Sequence, residues 1–210
     1  MKKNLYQYFI LLLLICFNAA LVALALKVNV GVDSWAAFSQ SLANAMHVKV
    51  GTMETILNCL CVFLELIILK KHFTWKHMMQ IPLSFLIGYV INFVYYNILT
   101  FEFTYYPMKI IIIIGVYILS AIIVALIMTM NLITYPLEGV CHAFCQKYQY
   151  PFHQCRQGID ILCIIISLLL SFVLSMPFVV REGTVIGMIL FGPMLGFAMK
   201  IIKSKQKNLS

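Results

Sequence analysis

Polar side chains recur at helical spacing within an apolar stretch of the first half of the chain. Glu54, Asn58 and Glu65 stand at positions i, i+4 and i+11. At 3.6 residues per turn the three fall within about 40° of one another on a helix. An ionisable group at bilayer depth costs about 2.5–3.5 kcal/mol or more, so such a stripe usually faces a partner or a water-filled cavity.

The second half of the chain carries a matching stripe, whose members are Arg156, Asp160, Ser167 and Ser171. We predict a polar cavity for a substrate or ion, lined by Asn58, Glu65, Arg156 and Asp160, between the second and fifth membrane spans. Glu65 is expected at about the depth of Arg156 and Asp160, where a charge pair can form. The alternative places Arg156 and Glu54 at the membrane interface, with Asp160 paired to Arg156 one helical turn away.

The last apolar stretch carries a glycine–proline pair, Gly192-Pro193, followed by Gly196. A proline removes an intrahelical hydrogen bond, and within lipid the freed carbonyl must find protein or water. One interpretation adds Gly192 and Pro193 to the cavity, as a broken helix along the substrate path. The other is a close helix–helix crossing through Gly192-x-x-x-Gly196.

No catalytic motif appears in the sequence. The seven cysteines lack the Cys-x-x-Cys pairs of a structural zinc site, although three of them lie near two histidines: Cys141, Cys145, Cys155, His142 and His153. Phosphate-binding loops, zincin motifs and nucleophile elbows are also missing. We therefore expect no enzyme, no cofactor and no resident metal.

The composition excludes a soluble domain. Of 210 residues, 63% are hydrophobic and 10% are charged, against about 45–50% and about 25% in globular domains. A membrane span needs about 20 mostly apolar residues. Six windows qualify, which predicts a polytopic membrane protein: Leu5–Leu26, Thr52–Leu69, Gln80–Thr100, Met108–Met130, Gly158–Phe178 and Thr184–Ile202.

The first window also has features of a signal peptide, since Lys2 and Lys3 precede it and Ala23-Leu24-Ala25 resembles a cleavage site. Its apolar stretch is longer than the usual h-region of about 7–15 residues. We favour an uncleaved first helix.

The basic residues predict an orientation. When the loops are assigned alternately to the two sides, eleven Lys and Arg residues fall on one side and four on the other. The positive-inside rule then places both termini in the cytoplasm. The same bias accounts for the net charge of +8, so nucleic acid is not an expected partner, and the basic tail suits anionic lipid.

An internal repeat appears when the chain is shifted by 102 residues, which places Glu54 on Arg156 and Asn58 on Asp160. The shift also superimposes two amphipathic segments, one with Trp35, Phe38, Leu42 and Met46 and the other with Leu137, Val140, Phe144 and Tyr148. We predict an all-α fold of six transmembrane helices arranged as two inverted three-helix repeats, each with a short amphipathic helix. The repeats span residues 1–104 and 105–203, and residues 204–210 form a basic tail. The alternative is a chance alignment of two apolar stretches.

Several short motifs occur in an order that resembles a known family. Gly31-Val32-Asp33-Ser34-Trp35 is similar to a Gly-x-x-Pro-Trp element, and Val50-Gly51-Thr52 to a Gly-Thr before the second span. Arg156 and Asp160 resemble the residues that start that family's fifth span. Its Gly-x-Gly-Thr turn and its Gly-Pro resemble Glu182-Gly183-Thr184 and Gly192-Pro193.

On these motifs the chain resembles the YczE/YyaS/YitT-type family of bacterial integral membrane proteins. The positions that carry the likeness outside the cavity are Gly31, Asp33, Trp35, Gly51, Thr52, Gly183 and Thr184. Ser34 and Glu182 depart from it, standing where the family has a proline and a glycine. The resemblance implies six or so spans in a bacterial plasma membrane and little about activity.

Three functions fit these observations. The first is a small secondary transporter or permease for an unknown small solute or ion. The second is a solute-binding membrane subunit of a larger uptake complex, which the small residues Ala19–Ala25 would help to dock. The third is a non-transporting scaffold for other membrane proteins. A mass of 24.0 kDa makes a thin bundle, which is compatible with a homodimer or a membrane partner protein.

Overall fold

The structure is a computed structural model that describes the backbone of residues 5–208 and the side chains of residues 5–202 and 204. Lys2, Lys3 and the last two residues of the predicted basic tail lie outside the described residues. Within residues 5–208 the regular structure is entirely helical.

Nine α-helices follow one another along the described chain: α1 (Leu5–Val28), α2 (Ser34–Met46), α3 (Val50–Leu69), α4 (Trp75–Met78), α5 (Gln80–Phe93), α6 (Tyr106–Met130), α7 (Pro136–Tyr148), α8 (Phe152–Val173) and α9 (Glu182–Asn208). A 3₁₀ turn, Lys70–His72, follows α3, and a π-helical turn, Val94–Ile98, follows α5. Six segments, containing α1, α3, α5, α6, α8 and α9, are long and apolar enough to cross a membrane. The prediction of an all-helical fold is confirmed for the described residues, and the six segments agree in length and composition with the predicted multi-pass membrane protein.

The fifth span begins and ends earlier than the sequence predicted. α8 starts directly after Pro151, whose fixed backbone angle suits the residue before a helix. It ends at Val173, because Ser175 adopts a positive φ of 51° and Pro177 follows. Arg156 and Asp160 therefore lie inside the helix, about 6 and 12 Å along its axis from the first residue.

The two short helices, α2 and α7, lie between α3 and α8. Each has thirteen residues, and each ends at a residue in the left-handed region, His47 or Gln149. The side chain of Asp33 caps α2 by accepting a 3.1 Å hydrogen bond from the Ala36 N–H. Pro136 starts α7, where its missing N–H has no consequence. Both short helices pack against α3 and against α8.

The core of the bundle forms where α1 packs against α5 and α6, and α6 against α9. α1 contributes a face of side chains that are at most 2% exposed, namely Leu11, Ile15, Ala19, Ala23 and Leu26. Lipid tails are as apolar as leucine, so close van der Waals packing rather than water exclusion stabilises such a contact.

The turn after α1 is fixed to the start of α9. The Gly183 N–H donates to the Val30 carbonyl at 2.7 Å, and the Tyr117 hydroxyl donates to the Gly183 carbonyl at 3.0 Å. Gly31 has a φ of +103°, and a Cβ atom added there would lie 2.8 Å from the backbone nitrogen of Thr184. The motif glycines of two sequence-distant turns are thus in contact, and neither position has room for a larger residue.

Replacing Tyr117 with phenylalanine should lower the free energy of unfolding by about 1–3 kcal/mol, because the Gly183 carbonyl would lose its buried side-chain donor. Thermal unfolding in detergent measures this loss. Tyr89→Phe is the control, because Tyr89 is 67% exposed. Equal melting temperatures for the two variants would show that the Tyr117 hydrogen bond contributes nothing.

Neither interpretation of the Gly192-Pro193 pair is realised within the described chain. α9 runs through Pro193 without interruption. Cβ atoms added at Gly192 or Gly196 would meet no atom within 4 Å, so no helix crosses α9 closely there. The close approach lies earlier in α9, where a Cβ at Gly187 would be 2.6 Å from the Tyr117 ring.

Candidate functional site

Charged side chains from α7 and α8 meet inside the bundle. The Arg156 guanidinium donates a hydrogen bond to Asp160 Oδ1, and its Nε lies 3.7 Å from Glu138 Oε1. The Ser34 hydroxyl at the start of α2 donates to the same oxygen of Asp160. These three charged side chains are 16–24% exposed. We refer to Arg156, Asp160, Glu138, Ser34 and Asp33 as the central cluster.

The beginnings of the two short helices bring the central cluster together. Trp35, in the first turn of α2, packs against a cluster formed by Leu137 and Val140 near the start of α7 and Cys61 of α3. Since Asp160 lies about 12 Å along α8, its bond to Ser34 brings the start of α2 well inside the bundle. The two helix N-termini, which carry partial positive charge, therefore lie beside the carboxyl groups.

The electrostatics of the central cluster are unbalanced, because three carboxyl groups share one guanidinium. Burial raises the pKa of Asp33, although its bond from the Ala36 N–H and the charge of Arg156 oppose the shift. Burial also raises the pKa of Glu138, again against the pull of Arg156. Such a cluster can take up a proton or a cationic group.

The structure buries most of the two predicted polar stripes but does not bring α3 and α8 into extensive contact within residues 5–208. Glu54 is 7% exposed and accepts a 2.6 Å hydrogen bond from the Ser39 hydroxyl of α2. Asn58 is 4% exposed. Glu54 and Asp160, one from each stripe, therefore contact the short helix α2, which lies between α3 and α8.

Glu65 does not join the central cluster, and among the described residues it forms no ion pair with Arg156. Its carboxyl oxygens accept hydrogen bonds from Gln80 Nε2 at 3.3 and 3.4 Å. A Cβ atom added at Gly139 would lie 1.6 Å from Glu65 Oε1, so α7 approaches this carboxyl closely.

Sequence reasoning missed Glu138 and Gln80 as site residues. Glu138 lies in the first turn of α7, where acidic residues commonly complement the helix N-terminus. The sequence does not single it out, because this segment is predicted as an amphipathic helix from the spacing of its apolar residues alone. Gln80 stands at the start of a predicted span, and nothing in the sequence indicates that it contacts a residue of the preceding helix.

The motif positions before the second span form a contact of their own. The Gly51 N–H donates to Asn92 Oδ1 at 2.9 Å, and Asn92 Nδ2 donates to the Thr52 hydroxyl at 3.1 Å. A Cβ atom at Gly51 would lie 2.1 Å from the Gly88 carbonyl oxygen. Gly51 and Thr52 thus belong to a close α3–α5 crossing and not to the central cluster.

Among the described residues, no group of three or more His, Cys, Asp or Glu side chains is placed to hold a metal ion. Burial raises the pKa of the Cys141 thiol to about 12, so this group stays protonated near neutral pH. His142 stacks on Phe152 with ring centroids 4.2 Å apart, and burial lowers the pKa of its imidazole.

The comparison with known proteins identifies a family but no known activity. No curated protein and no solved structure matches the chain. A model described as a family of unknown function, DUF6198, matches residues 5–200, which include all six apolar segments up to the last turn of the sixth. The chain therefore belongs to the DUF6198 family of unknown function.

Proposed function

We propose that this chain is a small secondary transporter or permease of the bacterial plasma membrane, with both termini in the cytoplasm. The observation that carries the proposal is the central cluster, in which Arg156 contacts Asp160 and Glu138 among membrane-spanning helices. The solute passes where the first turns of α2 and α7 meet α3 and α8. Its chemistry is that of a small polar or charged molecule that exchanges contacts with these groups.

The energetic argument rests on the cost of buried charge. Two ionised groups taken out of water lose several kcal/mol each, and their mutual attraction often fails to recover that loss. Apolar side chains of similar volume would stabilise the bundle at least as well. A cluster of this kind inside a membrane protein is therefore expected at a substrate or proton pathway.

The inverted repeat is part of the proposal, and reciprocal packing supports it. α2 of the first half packs against α8 of the second, and α7 of the second half packs against α3 of the first. The two halves thus exchange their short helices. In transporters with inverted repeats, sites lie at the repeat interface, where the N-termini of broken transmembrane helices point at anionic groups of the substrate.

The kinship with YczE/YyaS/YitT-type proteins also belongs to this proposal. Asp33, Arg156 and Asp160 of the motifs are members of the central cluster, and Trp35 lies in the first turn of α2, next to Ser34. Because the short helices fill the space between α3 and α8, the charged side chains of the central cluster are only 16–24% exposed. Solute entry then requires α2 or α7 to move.

Replacing Asp160 with asparagine is expected to abolish solute uptake while preserving the fold, because Arg156 keeps Glu138 and the asparagine oxygen still accepts from Ser34. A thermal-stability screen of the purified wild type first identifies a solute. A ligand that binds only the folded state stabilises it by about 2.7 kcal/mol at a hundredfold excess over its dissociation constant. Uptake of that solute into proteoliposomes is then measured for both proteins.

The matched control is Glu102→Gln, which neutralises an exposed carboxylate outside the six apolar segments and should leave uptake unchanged. Wild-type uptake in the Asp160→Asn variant would contradict the assignment of the central cluster as the transport site. A library that produces no shift and no uptake would favour the scaffold function instead.

A further inference from the structure

Glu65 is a buried carboxyl group that the central cluster does not use. Its side chain is 0% exposed, and it lies four residues before the end of α3. Its only hydrogen-bond donor within the described residues is Gln80 Nε2, at 3.3 and 3.4 Å from the two oxygens. Both distances are long for N–H···O bonds, and an ionised carboxylate would draw its donor closer.

No cation neutralises Glu65 within the part of the chain that the structure describes, where the Lys, Arg and His nitrogens all lie beyond 4.0 Å. The other titratable groups around Glu65 lie on α3 and on the elements that pack against α3. α3 itself carries Cys61 and Glu54; α2 carries His47 at its end and Asp33 before its start; α7 carries Glu138 and Cys141; the elements after α3 carry Lys70, Lys71, His72, Lys76 and His77. α5 presents the neutral Gln80.

Gln80 supplies an independent observation. Its side chain is 2% exposed, and its Oε1 atom is buried without a hydrogen-bond partner. A buried amide oxygen without a donor is costly, and a protonated carboxyl group supplies the missing donor. In a paired arrangement the Glu65 hydroxyl donates to Gln80 Oε1 while Gln80 Nε2 donates to the other Glu65 oxygen. A proton therefore satisfies both side chains.

The space around Glu65 favours a proton over a metal cation. Gly139 of α7 lies so close that an added Cβ atom would be 1.6 Å from Glu65 Oε1. A metal cation needs several oxygen ligands at distances above 2 Å, and no three His, Cys, Asp or Glu side chains among the described residues are grouped to hold one. A proton needs only a carboxyl oxygen and one acceptor, and Gln80, whose Nε2 already contacts Glu65, also carries the unpartnered Oε1.

We propose that Glu65 and Gln80 form a proton-binding site, separate from the central cluster, that holds its proton while α7 covers it. Withdrawal of Gly139 would admit water and release the proton toward the end of α3 that precedes Lys70. The role of this site in coupling protons to transport rests on the proposed function. Proton binding by Glu65 does not.

Infrared difference spectroscopy on the detergent-purified full chain tests proton binding directly. At neutral pH the wild type should show a carbonyl stretch of a protonated carboxylic acid that is lost in Glu65→Gln. The band should persist in the control Glu102→Gln, whose carboxylate is exposed. In Gln80→Leu the band should shift to higher frequency, because its hydrogen-bond partner is removed.

A loss of carboxylate bands, rather than of a carboxylic-acid band, in Glu65→Gln would overturn the proposal. So would an unshifted acid band in Gln80→Leu, and this second variant keeps the test decisive where Glu65→Gln fails to fold. A melting temperature of the wild type that rises with Na⁺ but not with choline, and only while Glu65 is present, would assign the site to a metal cation instead.

Proteoliposomes with a trapped pH indicator separate this inference from the proposed function. With a solute identified, Glu65→Gln should retain the solute's thermal shift and lose the proton flux that accompanies uptake. A protonated Glu65 without any solute movement would leave the proton site standing and overturn transport. Solute uptake with an ionised Glu65 would leave transport standing and overturn the proton site.

Discussion

Replacing Arg156 with methionine is expected to lower the free energy of unfolding by about 3–5 kcal/mol, because it leaves the carboxyl groups of the central cluster without a cation. Arg156 is the only basic side chain that contacts Asp160 or Glu138 within the described residues. Methionine keeps a long apolar side chain, so the loss reports charge more than volume. Thermal and chemical unfolding in detergent measure the change.

Lys76→Met is the matched control, since Lys76 is exposed and makes no ion pair in the described chain. It should change the stability by less than about 0.5 kcal/mol. If the Arg156→Met variant has the same free energy of unfolding as the wild type, the claim that this guanidinium neutralises the cluster is contradicted.

Removal of the opposing carboxylates should recover most of the stability lost with Arg156. The triple variant Arg156→Met, Asp160→Asn, Glu138→Gln leaves no charged member of the central cluster except Asp33. The stability changes caused by mutations within one ion-pair network are not additive. The triple variant should therefore be more stable than the Arg156→Met variant. Recovery of stability without recovery of uptake would indicate that the charges serve function, as proposed for this site.

Acidic pH should act on the same cluster through Asp33 and Glu138. Burial raises the pKa of both carboxyl groups above their ordinary values of 3.8 and 4.5. A raised folded-state pKa favours the protonated form, so this contribution to stability is present at acidic pH and is lost as the pH rises through the folded pKa. Glu138→Gln should therefore flatten the pH dependence of the melting temperature above pH 4.5.

The helices and the two polar stripes were predictable because they follow from short-range patterns. Helical periodicity depends only on neighbouring residues, so Glu54, Asn58 and Asp160 could be assigned to inward faces without knowledge of the fold. The α3 boundaries followed the apolar stretch, and the main error arose in the fifth span, where Pro151 starts α8 before its apolar part begins and α8 ends at Val173.

The partners of those stripes were not predictable because they depend on the depth and rotation of packed helices. Glu65 and Arg156 have compatible charges, yet Glu65 contacts Gln80, and Arg156 contacts Glu138. A sequence gives the face of a helix on which a side chain lies. It does not give the height at which another helix crosses that face.

The glycines illustrate the same limit. Gly192 and Gly196 form the small-x-x-x-small pattern typical of close crossings, but an added Cβ at either position meets no atom within 4 Å. Gly51 and Gly88, which stand on different helices, form the close crossing instead. Small residues permit close approach, while the packing of the whole bundle decides where it occurs.

Alanine at Gly51 or Gly88 should lower the free energy of unfolding by about 1–3 kcal/mol, because each methyl group would force α3 and α5 apart. The added Cβ at Gly51 would lie 2.1 Å from the Gly88 carbonyl oxygen. At Gly88 it would lie 2.0 Å from the Thr55 hydroxyl and 2.2 Å from the Gly51 carbonyl oxygen. Backbone oxygens cannot rotate away as a flexible side chain can, so the helices themselves must move.

Their separation would also stretch the hydrogen bonds that cross this contact, from the Gly51 N–H to Asn92 at 2.9 Å and from the Thr55 hydroxyl to the Ser84 carbonyl at 3.2 Å. Gly115→Ala is the matched control, because Gly115 lies within α6 and its added Cβ meets nothing within 4 Å. That control should be neutral or stabilising, since alanine is favoured over glycine in a helix by about 1 kcal/mol. Equal unfolding of Gly51→Ala and Gly115→Ala in detergent would show that α3 and α5 do not cross at these glycines.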